Sequence, residues 1–142
     1  MECSITILAV DDEQDFLDSI KRALVSAGFP HSILETSSEM AASFFDGDAI
    51  DIDVAFIDIT MPGMSGEDLL GVIRRKSPDT ECIMITAIND ASTAVRCLKK
   101  GAYDYLVKPI SPDNLLGALN RTLERKRLLD LVEISKKESF LL

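Results

Sequence analysis

The sequence predicts an α/β domain in which five strands alternate with five helices, a doubly wound parallel sheet covered on both faces by right-handed crossovers. Two observations predict it. The apolar pattern switches repeatedly between short continuous runs and a 3.6-residue period, with brief turn-forming joints between them. The run Val54-Ala55-Phe56-Ile57, which ends on Asp58 and breaks at Met61-Pro62-Gly63, has the character of a strand buried on both faces, as central parallel strands are.

Taken in order, Ile5 to Val10 is a short apolar strand running into Asp11-Asp12-Glu13. From Gln14 the period changes, and Phe16, Leu17, Ile20, Ala23, Leu24 and Ala27 mark one helical face, closed by Gly28 as a left-handed cap. Ser32 to Glu35 is a weaker strand. Thr36 and Glu39 have the spacing of a capping box, opening a helix with Met40, Phe44 and Phe45 on its inner side. After the Asp58 strand, Ser65 caps a helix carrying Leu69, Leu70 and Ile73, which stops at Ser77-Pro78. Glu81 to Ala87 is the fourth strand, and a helix from about Asp90 to Lys100 stops at Gly101. Tyr103 to Val107 is the fifth strand, ending at Lys108-Pro109. Ser111-Pro112 then opens the last helix, with Leu115, Leu116, Leu119 and Leu123 inward.

The composition narrows the function classes. At 142 residues, with 46% hydrophobic and 27% charged residues, the chain fits one globular domain. The net charge of −9 disfavours a nucleic-acid binder, because phosphate contacts need a basic surface. No apolar run approaches a membrane span and Met1-Glu2-Cys3-Ser4 lacks the start of a signal peptide, so a cytoplasmic location is expected. Cys3, Cys82 and Cys97 have no Cys-x-x-Cys spacing and read as reduced thiols. Asp46, Asp48, Asp51 and Asp53 cluster but fail the calcium-loop pattern, with Asp51 where Gly is needed and Ile57 where the bidentate Glu belongs; they read as a solvated loop.

In open parallel sheets the ligand site lies beyond the carboxyl ends of the strands. Asp11, Asp12, Asp58, Thr86 and Lys108 all occupy such ends, so the predicted fold gathers them on one rim. Three crowded carboxylates repel one another unless protonated or neutralised by a cation. Oxygen-only ligands favour a hard ion such as Mg2+, which keeps several waters and takes one or two carboxylates plus phosphate oxygens. An Asp carboxylate is a competent nucleophile toward a phosphoryl group, for which Lys108 would balance charge and Thr86 would donate a hydrogen bond.

Over about residues 5 to 123 the chain resembles the receiver domain of bacterial response regulators in two-component signalling. The resemblance is carried by Asp11-Asp12, by Asp58 with the following Met-Pro-Gly-Met-Ser-Gly, by Thr86-Ala87 and by Lys108-Pro109. It implies a flavodoxin-like five-stranded sheet in the order 2-1-3-4-5, with the last helix extended. It also implies that Asp58 accepts a phosphoryl group from a phosphohistidine on a sensor histidine kinase or histidine phosphotransfer protein. By the same resemblance Asp12, Asp58 and the backbone carbonyl of Thr60 bind Mg2+, Asp11 assists largely through water, and the Lys108-Pro109 bond is cis, aiming Lys108 into the site. Thr86 and Tyr105 match the switch pair that reshapes the surface of helix four, strand five and helix five. Thr60 and Ile88 flank the route of water, and an apolar Ile88 is expected to slow its attack. His31, the only histidine, reads as a surface loop residue, so the phosphodonor lies elsewhere.

The resemblance divides the chain into a receiver domain over 1–123 and a helical extension or linker over 124–142. Arg121, Arg125, Lys126 and Arg127 read as a solvated basic face. Leu128, Leu129, Leu131, Val132 and Ile134 follow, with helix expected to about Lys137. They hold no clean heptad register with Leu116, Leu119 and Leu123, and are expected to pair in a homodimer or lead toward an output domain. A second dimer surface is helix four, strand five and helix five. Two rival functions remain: a receiver-like module that signals without phosphorylation, and an Asp-nucleophile phosphohydrolase, which wants a second Asp where Thr60 stands.

Overall fold

The computed structural model describes residues 4–47, 50–87 and 91–141. Ten elements follow in strict alternation: β1 Ile7–Val10, α1 Gln14–Ser26, β2 Ser32–Glu35, α2 Ser38–Ser43, β3 Val54–Asp58, α3 Gly66–Lys76, β4 Glu81–Thr86, α4 Ala91–Lys99, β5 Asp104–Val107 and α5 Pro112–Leu141. All strand pairs are parallel, as the sequence predicts, and the order is β2-β1-β3-β4-β5, as the resemblance implies. Every residue of β3 is buried, because helices lie over both sheet faces. Leu8, Val10, Ala55, Ile57 and Met84 face one apolar core with Leu69, Leu70 and Ile73 of α3. Ile7, Ala9, Val54, Phe56 and Ile83 face the other, with Leu17 and Leu24 of α1 and Leu115 and Leu119 of α5. The alternation is the two-residue period of a strand serving two cores at once.

Register places the site. Val10 pairs with Ile57, so Asp11 emerges level with Asp58 on adjacent strands. Asp58 pairs with Ile85 and Thr86 with Val107, so Thr86 and Lys108 leave the sheet on the same rim.

Helix ends follow their local chemistry in most places. Gly28 and Gly101 adopt φ of 95° and 108° just beyond α1 and α4. The Ser65 hydroxyl accepts from the Asp68 amide at 3.0 Å, and Ser111 accepts from the Asn114 amide at 3.0 Å. At α2 the expectation fails. The cap is Ser37, whose hydroxyl accepts from the Met40 amide at 3.1 Å, and not Thr36. Met40 is 53% exposed: the inward stripe runs through Ser38 and Ala41 to Phe45, and Met40 lies about 100° around the helix from Ala41.

The basic run of α5 is also not a plain solvated face. Arg125 pairs with Glu81 at 2.9 Å and lies 5.2 Å from the centre of the Tyr103 ring. Lys126 donates to the Asp79 carbonyl at 2.6 Å, and Arg121 pairs with Asp104 at 3.4 Å. These partners lie 17 to 47 residues away in sequence, at the edge of the sheet where β4 and β5 begin. Beyond them α5 continues as one helix to Leu141, four residues past the expected end, and residues 127–138 are all exposed.

In the acidic loop, Asp46 pairs with Lys76 and Asp51 is exposed, but Asp53 accepts the Thr6 amide at 2.9 Å and joins two strand starts. Cys3, Asp48, Ile88 and the helix start expected at Asp90 lie outside the described residues.

Candidate functional site

The four chain segments leaving β1, β3, β4 and β5 meet over the C-terminal rim. Asp11 is buried, and its Oδ1 accepts from the Glu13 amide at 2.8 Å, which orients the carboxylate across the rim. Asp58 is buried, and its Oδ1 accepts from the Thr60 amide at 3.2 Å. Asp12 is exposed. These three carboxylates each offer an oxygen within 4.8 Å of the others, the one such acidic group among the described residues.

Lys108 reaches in from β5 past the end of β4. Its Nζ lies 2.7 Å from Asp11 Oδ2, 3.4 Å from Glu13 Oε1 and 3.9 Å from Asp58 Oδ2. The same ammonium sits 4.1 Å from the centre of the Phe16 ring, a cation–π contact from the first turn of α1. Burial works against the charge on Lys108, but the hydrogen bond to Asp11 and the Asp11 and Asp58 carboxylates outweigh it and raise its pKa. The Lys108-Pro109 bond is cis, as the resemblance implies.

Asp58 is electrostatically loaded. Burial first, and then the charge of Asp11, push its carboxyl up from 3.8 to about 6, against the opposing pull of Lys108 and the Thr60 amide. The donor set contains only oxygen, and three carboxylates share one side of the rim, which fits a hard divalent cation and not a soft one. The loop behind Asp58 is tightly drawn: Gly66 donates to the Ile59 carbonyl at 2.9 Å, and a Cβ at Gly66 would overlap the carbonyl oxygen of Asp58.

Thr86 is buried at the end of β4, and its carbonyl accepts from the Lys108 amide at 2.7 Å. Tyr105 is half-buried and packs against the core that holds Met84, Cys97 and Ala102. Thr60 is exposed at the mouth of the loop. Asp11, Asp12, Asp58, Thr60, Thr86 and Lys108 therefore lie on one rim, while Tyr105, paired with Met84, lies two residues back inside β5. Glu13 and Phe16, which sequence reasoning left out, join the rim through Lys108. Their signal was present: Glu13 is two residues past Asp11, and Phe16 sits on the inward face of α1 one turn below the rim.

A family model described as the response regulator receiver domain matches residues 7–120. The chain belongs to that family. This receiver is 31% identical over 129 residues to the C4-dicarboxylate transport transcriptional regulatory protein DctD of Rhizobium meliloti, covering 91% of the chain and 27% of DctD. The receiver thus spans about a quarter of the length of that relative. Among solved structures it resembles the signal receiver domain of a Luxo repressor protein from Vibrio parahaemolyticus, with 29% identity and a TM-score of 0.82 over 91% of this chain and 97% of that one. It also resembles the CheX–CheY–BeF3–Mg2+ complex from Borrelia burgdorferi, with 28% identity and a TM-score of 0.78 over 84% of this chain and 89% of that one. The receiver is a regulatory module of two-component response regulators. No helix among its described residues is long and apolar enough to cross a membrane.

Proposed function

We propose that this receiver accepts a phosphoryl group on Asp58 from a phosphohistidine of a sensor histidine kinase or histidine phosphotransfer protein. The observation that carries the reading is the convergence of Lys108 on Asp11 and Asp58, from strands far apart in sequence, beside the acidic cluster.

An Asp58 oxygen attacks phosphorus, the phosphorus–nitrogen bond of the donor breaks, and the leaving imidazole keeps the bonding pair. The product is an acyl phosphate on Asp58. Lys108 stands close enough to Asp58 to neutralise the phosphoryl oxygens, and Thr86 supplies a hydroxyl from the neighbouring strand end. Asp12, Asp58 and the Thr60 carbonyl, with Asp11 acting largely through water, are the groups we assign to Mg2+, whose charge would offset the crowded carboxylates and the incoming phosphate. The similar Borrelia structure is a complex with BeF3 and Mg2+, which supports the choice of ion.

The output reading follows from the same rim. Thr86 and Tyr105 are assigned as the switch pair, coupling the phosphoryl group to the surface of α4, β5 and α5. We assign residues 1–123 to the receiver and 124–142 to an extension that pairs with a second copy of the chain or leads toward an output domain. On the helical wheel Leu128, Leu131, Val132 and Ile134 fall on the half opposite the α5 positions Leu115, Leu119 and Thr122 that face the sheet, while Leu129 falls on the same half as those positions. Most of the tail's apolar side chains are therefore turned away from the sheet-facing side of α5. This segment is assigned no contact with nucleic acid or membrane. A cytoplasmic setting fits the free buried thiols of Cys82 and Cys97.

The test is intact mass after incubation with Mg2+ and phosphoramidate or acetyl phosphate, on the parent and on Asp58→Ala. One acid-stable, base-labile phosphoryl adduct on the parent alone is expected. No adduct on a folded parent overturns the reading in favour of a phosphorylation-independent binding module.

A further inference from the structure

The loop from Thr60 to Ser65 carries the carbonyl assigned to the metal, and its two ends are fixed by β3 and α3: the Thr60 amide donates to Asp58, and Gly66 packs on the Asp58 carbonyl. Its middle is fixed from outside. Glu39, in the first turn of α2 and 25 residues away in sequence, accepts the Met64 amide on Oε2 at 2.9 Å. Gly63 adopts φ 72°, and a Cβ there would collide with the Glu39 carboxylate, so the glycine leaves room for this side chain to reach the backbone. The Ser37 hydroxyl lies 3.5 Å from Glu39 Oε1, and Ser37 is itself the cap of α2, so the carboxylate is tied to a helix end. The Met64 amide is also the chief influence holding the Glu39 carboxyl below its ordinary value. Met61 and Met64 set the loop's other side against the core under β3 and β1.

We propose that Glu39 is a positioning residue, which clamps the loop bearing the Thr60 carbonyl and thereby sets the affinity of the site for Mg2+. Glu39 touches neither metal nor phosphate; it acts through the Met64 amide and Gly63. The proposal rests on the metal assignment above. An unclamped loop must be ordered when the cation binds, and that ordering cost is taken from the affinity.

The experiment compares the full chain with Glu39→Ala, Glu39→Gln and Asp58→Asn. Hydrogen exchange of the Met64 amide is followed without metal by NMR, and Mg2+ binding is measured by calorimetry. Loss of a charge-assisted hydrogen bond in Glu39→Ala should speed Met64 exchange about tenfold and weaken Mg2+ binding about three- to tenfold. Glu39→Gln keeps an acceptor oxygen at the same reach and should stay within about twofold of the parent in both. Faster Met64 exchange in Glu39→Ala with unchanged Mg2+ affinity overturns the proposal, since the clamp would then serve only the loop. Unchanged exchange overturns it too, because the contact would carry no weight in solution. Equal Mg2+ binding by the parent and Asp58→Asn would instead sink the metal assignment itself, an outcome that the Met64 measurement keeps separate.

Discussion

Replacing Asp58 by Asn should make the metal-free receiver more stable, and by an amount that depends on pH. The Asp58 side chain is 8% exposed and its carboxyl is pushed from 3.8 to about 6, mainly by burial and by Asp11. Its folded value thus lies above its unfolded one. Below pH 4 the carboxyl is largely protonated in both states and costs little. Between pH 4 and 6 the folded chain holds a proton that the unfolded chain has released, so stability falls as pH rises. Above pH 6 both are ionised and the full cost remains. At about 1.4 kcal/mol per pH unit, the gain from a neutral Asn grows from about 0.5 kcal/mol at pH 4 to about 3 kcal/mol at pH 7. Asn keeps an oxygen for the Thr60 amide, so little else is disturbed. The assay is urea unfolding of parent and Asp58→Asn in EDTA across pH 4 to 7. Added Mg2+ should then stabilise the parent and narrow the gap, by about 1.4 kcal/mol for each tenfold excess over its dissociation constant. A pH-independent difference, or a parent more stable than the variant at pH 7 in EDTA, would refute the reasoning.

Three further outcomes are expected. Gly66→Ala should cost about 2–4 kcal/mol in urea unfolding, because its Cβ meets the Asp58 backbone and not a yielding side chain; a loss under about 0.5 kcal/mol would mean that the loop gives way easily. Phe16→Leu removes the ring face under Lys108 while keeping apolar bulk, and should slow phosphoramidate labelling of Asp58 about three- to tenfold, with recovery in Phe16→Tyr; equal rates in all three chains would show that the ring does not steady the ammonium. Deleting residues 127–142 should change unfolding stability by less than about 0.5 kcal/mol, since the side chains described there are exposed, yet abolish self-association in sedimentation; a shortened chain that associates like the parent would remove the tail as the dimer contact.

The fold was legible because each strand is a short apolar run punctuated by a turn former, and the site because parallel strands deliver their last residues to one rim. Asp11, Asp58, Thr86 and Lys108 needed no knowledge of side-chain direction to be grouped. What escaped depends on reach between distant segments. Glu39 looked like half of a capping box with Thr36, but Ser37 caps the helix and Glu39 turns to Met64. Arg125 and Lys126 looked solvated because Glu81 and Asp79 lie 44 and 47 residues away. In the sequence Phe16 reads only as core, since nothing in a helical period says which long cation will lie across its ring.

The α5 helix is anchored along its first half, and past it residues 127–138 are exposed. Arg121, Arg125 and Lys126 fix it to the sheet edge, and about 15 residues continue beyond them without a break, a length of about 22 Å. That geometry is a lever with its fulcrum at the last anchoring side chain. A tilt of about 5° at the anchored half swings the far tip by about 2 Å.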